Sequence, residues 1–598
     1  MIRNVKTHWS WFKIAVGTVG VLMVSATLSA SESSGPRKPN VILVMTDDQG
    51  YGDLGCHGNT IIKTPNIDKL YTESVRLTHF HVSPTCAPTR AALMTGRYSL
   101  RTGIWHTVMG RSIVRRDEVT MADVFKASGY RTGIFGKWHL GDNDPYRPED
   151  RGFNEALIHG GGGVGQGPDY WGNDYFDDTY FHNGKPQKHE GYCTDVWFDE
   201  AMKFIETNKD RPFFVYLPTN APHSPFHVAD QYRKLYQGNP DVTNPAFYGM
   251  ITNIDENMAR LLARLKTLGL EQNTILIFMT DNGSSDGVAL DKKGFVTQGF
   301  NAGMRGKKAS QYEGGHRVPC FIRWPAGGLG DGVDIDRLAA HFDLLPTLIE
   351  LCELKKPQGV DFDGRSLVPL LKGNVDGWPD RAIMVDTQRV EQPIKWRRCV
   401  VMTQRWRLID GQELYDMQVD PGQRHDVADQ HSKVVAKLRQ TYEDWWADVS
   451  ERFDEYCEIP LGADQENVVT LMGMDWHMEK GKVPPWSQDV IRRGPATNGF
   501  WAVEVVRDGV YEIALRRWPV EIDQPITAAI KNGKAIRATQ ARLKVADVDV
   551  TQPIPESASA VTFRVNLKAG KTRLQSWFVD EGTGESRGAY YVYVQRLP

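Results

Sequence analysis

The sequence predicts an α/β fold: a mostly parallel sheet sandwiched by helices. Three observations predict it. Uninterrupted apolar runs, "NVILVM" at 40–45 and "NTILIFM" at 273–279, have the composition of strands covered on both faces. Amphipathic stretches alternate with such runs; within 247–269, Ile251, Ile254, Met258, Leu261, Leu262 and Leu265 recur at helical spacing. Four apolar runs also lead into polar tips: Asp47 and Asp48, Asp281 and Asn282, Lys137 with His139, and His223. In α/β sheets ligands bind beyond the carboxyl ends of the strands, which is where all four tips fall.

The elements follow in order. Residues 1–30 read as a signal peptide, because Arg3, Lys6 and Lys13 precede an apolar stretch that ends in small residues near Ala30. An uncleaved anchor is the alternative, since the stretch is only slightly short for a span. No later segment approaches membrane length. Residues 31–38 form a polar, flexible join, and 39–380 the α/β domain. From 381 to 465, short strands such as "RRCVVMTQ" and the helix "SKVVAKLRQTYEDWWADV" suggest a small α+β subdomain. A loop-rich linker, 466–498, leads to a β-rich domain at 499–598. Its short alternating strands, separated by turn residues, favour a sandwich. The glycine-rich "HGGGGVGQG" at 159–167 lacks the lysine-serine ending of a phosphate loop and reads as a mobile substrate loop.

At 598 residues the chain exceeds one ordinary core. Its formal net charge of −3 excludes the strongly basic balance of a nucleic-acid binder. Seven cysteines is an odd number, so in an exported chain at least one thiol stays unpaired or is chemically altered. Oligomeric state is not readable.

The chemistry begins at the tips. Asp47, Asp48, Asp281 and Asn282 offer hard oxygen ligands without a thiolate or imidazole cluster, which suits Ca²⁺ or Mg²⁺ rather than zinc. One aspartate pair alone would read as a cap or turn; two near-identical "MTD-D/N" tips reverse that preference. Cys86, in "SPTCAPTRAALMTGR", stands at the mouth of a helix, where backbone N–H groups and the helix dipole lower a thiol's pKa. A small buried hydrophobe is the plain alternative. Lys137 and His139, two apart at a strand end, can face one pocket.

In its motifs the chain resembles the type I, formylglycine-dependent sulfatases of the alkaline phosphatase superfamily, the arylsulfatases above all. The resemblance rests on Cys86-Ala87-Pro88-Thr89-Arg90 followed by "AALMTGR". It also rests on "PNVILVMTDDQGYGDLGCHG", "GYRTGIFGKWHLG", "NAPH", "TDNG", "KASQYEGG" and "ELYDMQVDPGQRHDVA", and covers about 39–465. It implies a hydrolase of sulfate esters, with sulfated saccharides as substrates. Cys86 would be oxidised to Cα-formylglycine by a formylglycine-generating maturation enzyme, and its hydrate would supply the nucleophile. Asp47, Asp48, Asp281, Asn282 and the modified Cys86 would hold one divalent cation, Ca²⁺ in preference to Mg²⁺. Arg90 would hold the modified residue and Lys137 the sulfate. His139 would be the base that releases sulfate. His223 would protonate the leaving alcohol, shared with Lys308, which stands four before Tyr312-Glu313-Gly314-Gly315. Tyr51, His57 and Glu313 fall in matching motifs with structural roles. The signal peptide implies an enzyme in the periplasm or outside the cell, with no membrane contact beyond that segment.

Two rivals remain. A phosphodiesterase or phosphonate hydrolase on the same fold would share most of these residues. A non-catalytic saccharide-binding homologue would lack one or more of them. In the linker, the faces of Trp476 and Trp486 are candidates to stack on sugar rings, with domain glue as the equal alternative.

Overall fold

The computed structural model describes residues 38–479 and 481–598. The expected signal peptide, and all of the expected join but Lys38, lie outside the described residues. The α/β expectation holds. Asn40–Thr46 runs parallel between Phe213–Pro218 and Thr274–Thr280 at the centre of a ten-stranded mixed sheet. Arg131–Lys137 and Glu155–His159 continue the parallel set on one side, and Cys320–Arg323 adds an antiparallel strand on the other.

The central strand shows why its apolar run is unbroken. Val41, Leu43 and Met45 enter one core, with Ala87, Leu93, Val124 and Phe125 from helices on that face. Ile42 and Val44 enter the opposite core, with Trp197, Met250, Ile254, Met258 and Leu261. Every residue of the strand is buried, and the five between Asn40 and Thr46 are all apolar. The long helix Pro245–Thr267 starts where Asn244 caps it, its side chain accepting from the Ala246 and Phe247 N–H groups.

A four-stranded antiparallel sheet, from Ile383–Asp386 to Glu413–Asp416, packs with helix Ser432–Val449 through Leu438, Tyr442 and Trp445. Two further sheets form the C-terminal sandwich. In Val561–Leu567 buried and exposed residues alternate strictly, the pattern of a strand with one wet face.

Two boundaries change. Ile459–Leu461 pairs parallel with Trp501–Val505, and Val468–Met472 pairs with Tyr591–Arg596. The β-rich unit thus takes strands from within 381–465 and from the 466–498 segment, which is more than a linker. Both strands are too short, and too close to glycine and proline, to stand out locally. The 159–167 loop also differs from a free loop. Gly167 N donates to the Trp486 carbonyl at 2.9 Å, Gln488 N to Gly165 at 3.0 Å, and Tyr591 Oη to Gly167 at 2.9 Å.

Candidate active site

Strand register builds the site. Thr46 pairs with Thr280, so the residues after each are brought side by side. Asp281 N donates to the Thr46 carbonyl at 3.0 Å, and Asp48 N donates to Asp281 Oδ1 at 3.0 Å. Asp48 adopts a left-handed backbone, φ 68°, which marks local strain at the tip.

The carboxylates of Asp47, Asp48 and Asp281 each place an oxygen within 4.8 Å of the others, and all three are buried. Burial and the neighbouring Asp47 push Asp281 up to about 7. Burial also pushes Asp47 up to about 6 against the pull of Lys137. Asp48 goes the other way: Lys308, His223 and Lys137 outweigh its burial and hold it below the usual range. Asn282 Nδ2 donates to Asp48 Oδ1 at 2.9 Å. Asn282 Oδ1 and Asp47 Oδ1 are buried with no hydrogen-bond partner. Clustered carboxylates with orphaned oxygens and an amide oxygen fit a hard divalent cation.

Three cationic side chains close on this cluster. Lys137 Nζ lies 2.5 Å from Asp47 Oδ2, and Lys308 Nζ donates to Asp48 Oδ2 at 2.6 Å. Arg90, fully buried, donates from Nη2 to Asp281 Oδ2 at 2.9 Å and from Nη1 to the Lys137 carbonyl at 2.8 Å. It thereby ties two strand tips to its own helix.

That helix, Cys86–Thr95, begins at the cysteine. All seven cysteines are unpaired. Burial raises the thiols of Cys56, Cys193, Cys320, Cys352, Cys399 and Cys457. Cys86 is buried too, yet Lys137 and Lys308 overcome that burial and lower it. The opening residue of this helix is chemically unlike the rest.

The histidines are held as fixed tautomers. His139 Nε2 lies 2.9 Å from the Thr107 carbonyl, which can only accept, so Nε2 carries the proton. Its Nδ1 is a buried lone pair with no partner. Burial and Lys137 hold the ring neutral, well below the usual range. His223 Nδ1 donates to the Ser224 carbonyl at 2.6 Å, which leaves Nε2 facing Asp48 Oδ2 at 3.7 Å. Burial lowers this ring to about 4; Asp48 opposes, and Lys308 and Lys137 add to the fall. Gly162 packs so closely on His139 that a Cβ there would fall 2.3 Å from the ring.

Cys86, His139, His223 and Lys308 line one cavity of about 970 Å³. Lys137, Arg90, Asp47, Asp48, Asp281 and Asn282 are fully or almost fully buried behind it. Every site residue expected from the sequence is therefore in one place. Sequence reasoning singled out the loop of Gln166 but missed the rest of the outer wall, where His106, Arg389, Glu391, Arg397 and Lys482 line the same cavity. Arg389 and Arg397 sit in an irregular loop, "QRVEQPIKWRR", which carries no motif.

Trp486 lines the cavity, as one reading of the linker had it. Trp476 does not. It is fully buried between Trp501 and Tyr590, with ring centroids 5.6 and 6.0 Å away, and is domain glue. His477 is likewise committed, donating from Nδ1 to Glu391 at 2.9 Å and stacking on Phe500.

Known proteins resemble this chain in the same regions. Residues 39–354, more than half of it, match the sulfatase family, and 306–447 match the C-terminal region of N-sulphoglucosamine sulphohydrolase. N-acetylgalactosamine-6-sulfatase of Mus musculus is 30% identical over 385 residues, 59% of this chain and 70% of that protein. The ulvan-active sulfatase of Formosa agariphila is 31% identical over 378 residues, 58% of this chain and 68% of that protein. The solved structure of Ps i-CgsB in complex with k-i-k-neocarrahexaose matches at a TM-score of 0.62 and 27% identity, over 71% of this chain and 95% of that one. With its fold and its helix-mouth cysteine beside a carboxylate cluster, the chain belongs to the sulfatase family and is a sulfuric ester hydrolase.

Proposed function

We propose that this enzyme is exported to the periplasm or beyond and removes sulfate from a sulfated saccharide. In this reading a maturation enzyme converts Cys86 to Cα-formylglycine. The observation that carries it is the meeting of one lowered thiol, three carboxylates, two lysines and two histidines of fixed tautomer at one cavity floor. The named saccharide substrates of the relatives support the substrate class.

Asp47, Asp48, Asp281, Asn282 and the modified Cys86 would hold one divalent cation, Ca²⁺ in preference to Mg²⁺, because the ligand set is carboxylate-rich and irregular. When bound, it would polarise a sulfate oxygen and acidify the attacking hydroxyl. The hydrated formylglycine would supply two hydroxyls on one carbon, one to attack sulfur and one to lose its proton as sulfate departs. Lys137, Lys308 and the helix N-terminus stabilise the charge of the transferring group. Arg90 locks the Lys137 backbone and Asp281 in register with the nucleophile. His223 Nε2 and Lys308 hold the proton for the leaving alcohol; an incoming sulfate monoanion favours the protonated ring by offsetting the lysines. His139 Nδ1, the free lone pair, takes the later proton.

Peptide mass spectrometry of chain produced with a maturation enzyme should find the aldehyde or its hydrate at position 86. Matched sulfate monoester and phosphodiester substrates test the reaction: the sulfate ester should turn over faster, and the reverse would make this a phosphodiesterase. His223→Ala should cost sugar sulfates about 10²–10⁴-fold, and acidic phenyl sulfates much less, because a phenolate leaves without a proton.

A further inference from the structure

The floor of the cavity accounts for one sulfate, yet its outer wall carries cations the floor does not use. Arg389 and Arg397 belong to the loop between strands Ile383–Asp386 and Cys399–Met402. The backbone of Arg389 is left-handed, φ 45°, and its N–H donates to the Trp105 carbonyl at 3.2 Å. The loop is therefore anchored where the guanidinium emerges. Among the described residues that guanidinium has no hydrogen bond and no ion pair, although it lines the cavity. Arg397 donates from Nε to the Gln388 carbonyl at 3.0 Å, and no described carboxylate pairs with it.

Glu391 is the one carboxylate among the described lining residues. It does not neutralise these cations, because Arg111 lies 3.1 Å from its Oε1 and His477 2.9 Å from the same oxygen. His106 adds a neutral donor. Its Nδ1 accepts the Thr107 and Val108 N–H groups at 2.8 and 3.2 Å, so the ring proton sits on Nε2, for which no protein acceptor is present among the described residues. Burial and the nearby Arg389 keep the ring uncharged, at about 3.

Guanidinium groups that face a partly desolvated cavity without a protein anion match a planar or tetrahedral oxyanion supplied by the ligand. A cavity of about 970 Å³ has room for more than one sugar ring. We propose that Arg389, Arg397 and His106 form a second anion subsite, which takes a sulfate or carboxylate on the sugar next to the one being desulfated. The proposal rests on the reading of the floor as a sulfate-ester site. It makes the preferred substrate a saccharide with acidic groups on adjacent residues.

Three defined disaccharides test it, each with the same sulfated sugar and with a neutral, a sulfated or a uronic acid neighbour. The full-length enzyme should prefer an anionic neighbour in kcat/KM by about ten-fold, the effect of one or two charge-assisted hydrogen bonds. The sulfated and uronate arms tell which anion is read. Arg389→Gln should erase most of that preference, and Arg389→Lys should retain part of it. Calorimetric binding of the same disaccharides to the Cys86→Ala chain should show the same ranking without turnover, weakening as salt rises. If no sulfate is released from any of the three, the sulfate-ester reading fails, while the binding ranking still tests the subsite. An enzyme and a Cys86→Ala chain indifferent to the neighbour, or an Arg389→Gln variant that keeps the full preference, would overturn the proposal.

Discussion

The floor and the outer wall line the same cavity but are built differently. Most floor residues stand just past strand ends or on the first turn of a buried helix, and Lys308, on an irregular segment, is held through Asp48. Asp281 alone touches the Thr46 carbonyl, the Asp48 amide and the Arg90 guanidinium. Wall residues stand on loops, His106 and Gln166 in the α/β domain and the others in the α+β subdomain and the 466–498 segment, and among the described residues Arg389 and Trp486 end in the cavity with their side chains uncommitted. Chemistry that needs atoms fixed to a fraction of an ångström sits where the backbone is held on all sides, and selectivity sits on loops.

The largest expected effects come from breaking the floor. Cys86→Ala removes the proposed nucleophile and should lower turnover by about 10⁴-fold or more, leaving only binding and charge stabilisation behind. Asp281→Ala should cost about 10²–10³-fold, as loss of a group that stabilises developing charge does. A second readout separates a ligand from a strut. Ca²⁺ should raise the melting temperature of the unaltered chain by a few degrees, since at a hundred times Kd a ligand adds about 2.7 kcal/mol. Asp281→Ala should lose that shift. A melting temperature indifferent to both Ca²⁺ and exhaustive chelation would remove the cation from the reading.

The join between floor and wall gives the next effect. Gly162 presses on His139, and its loop is fastened to the β-rich unit through Gln488 and Tyr591. Gly162→Ala would put a methyl within 2.3 Å of the imidazole, so the ring must move. We expect kcat to fall about 10–100-fold at a stability cost of about 1–3 kcal/mol. In the proposed mechanism the lone pair at His139 Nδ1 acts after the alcohol has left, so a pre-steady-state burst of one equivalent of alcohol should precede the slow phase. A uniformly slow reaction without a burst would place His139 elsewhere in the sequence of steps.

The same contrast explains what was legible. Floor residues lie within short motifs, because a strand, its polar tip and the helix after it are local in sequence. The pairing of Thr46 with Thr280 needed only the recognition that two near-identical tips belong to one parallel sheet. Arg389, Arg397 and Trp486 stand on later loops that meet the α/β domain only through the tertiary fold. Arg389 and Arg397 look like surface charge in "QRVEQPIKWRR". The strand Val468–Met472 could not be told from a linker either, since its partner, Tyr591–Arg596, is the last strand of the chain. Trp476 and Trp486 lie ten apart in one irregular segment, where nothing local separates a ring for packing from a ring for sugar.

That pair gives the smallest effect and the finest test. Trp476 is fully buried and packs on Trp501 and Tyr590, whereas Trp486 is 39% exposed at the cavity. Trp476→Ala empties a large core site and should cost about 3–5 kcal/mol of stability, read as a lower melting temperature. Its activity on saccharide and on aryl sulfate should fall together, in proportion to the folded fraction. Trp486→Ala removes an aromatic face worth about 0.5–1.5 kcal/mol in contact with a ring, or roughly 2–12-fold in kcat/KM. That loss should appear on a sulfated oligosaccharide and not on a small aryl sulfate, with the melting temperature nearly unchanged. The carbonyl of Trp486 also holds Gly167, but alanine keeps that backbone acceptor, so the substitution isolates the ring. Equal loss on both substrates would mean that Trp486 supports the glycine loop instead of the saccharide.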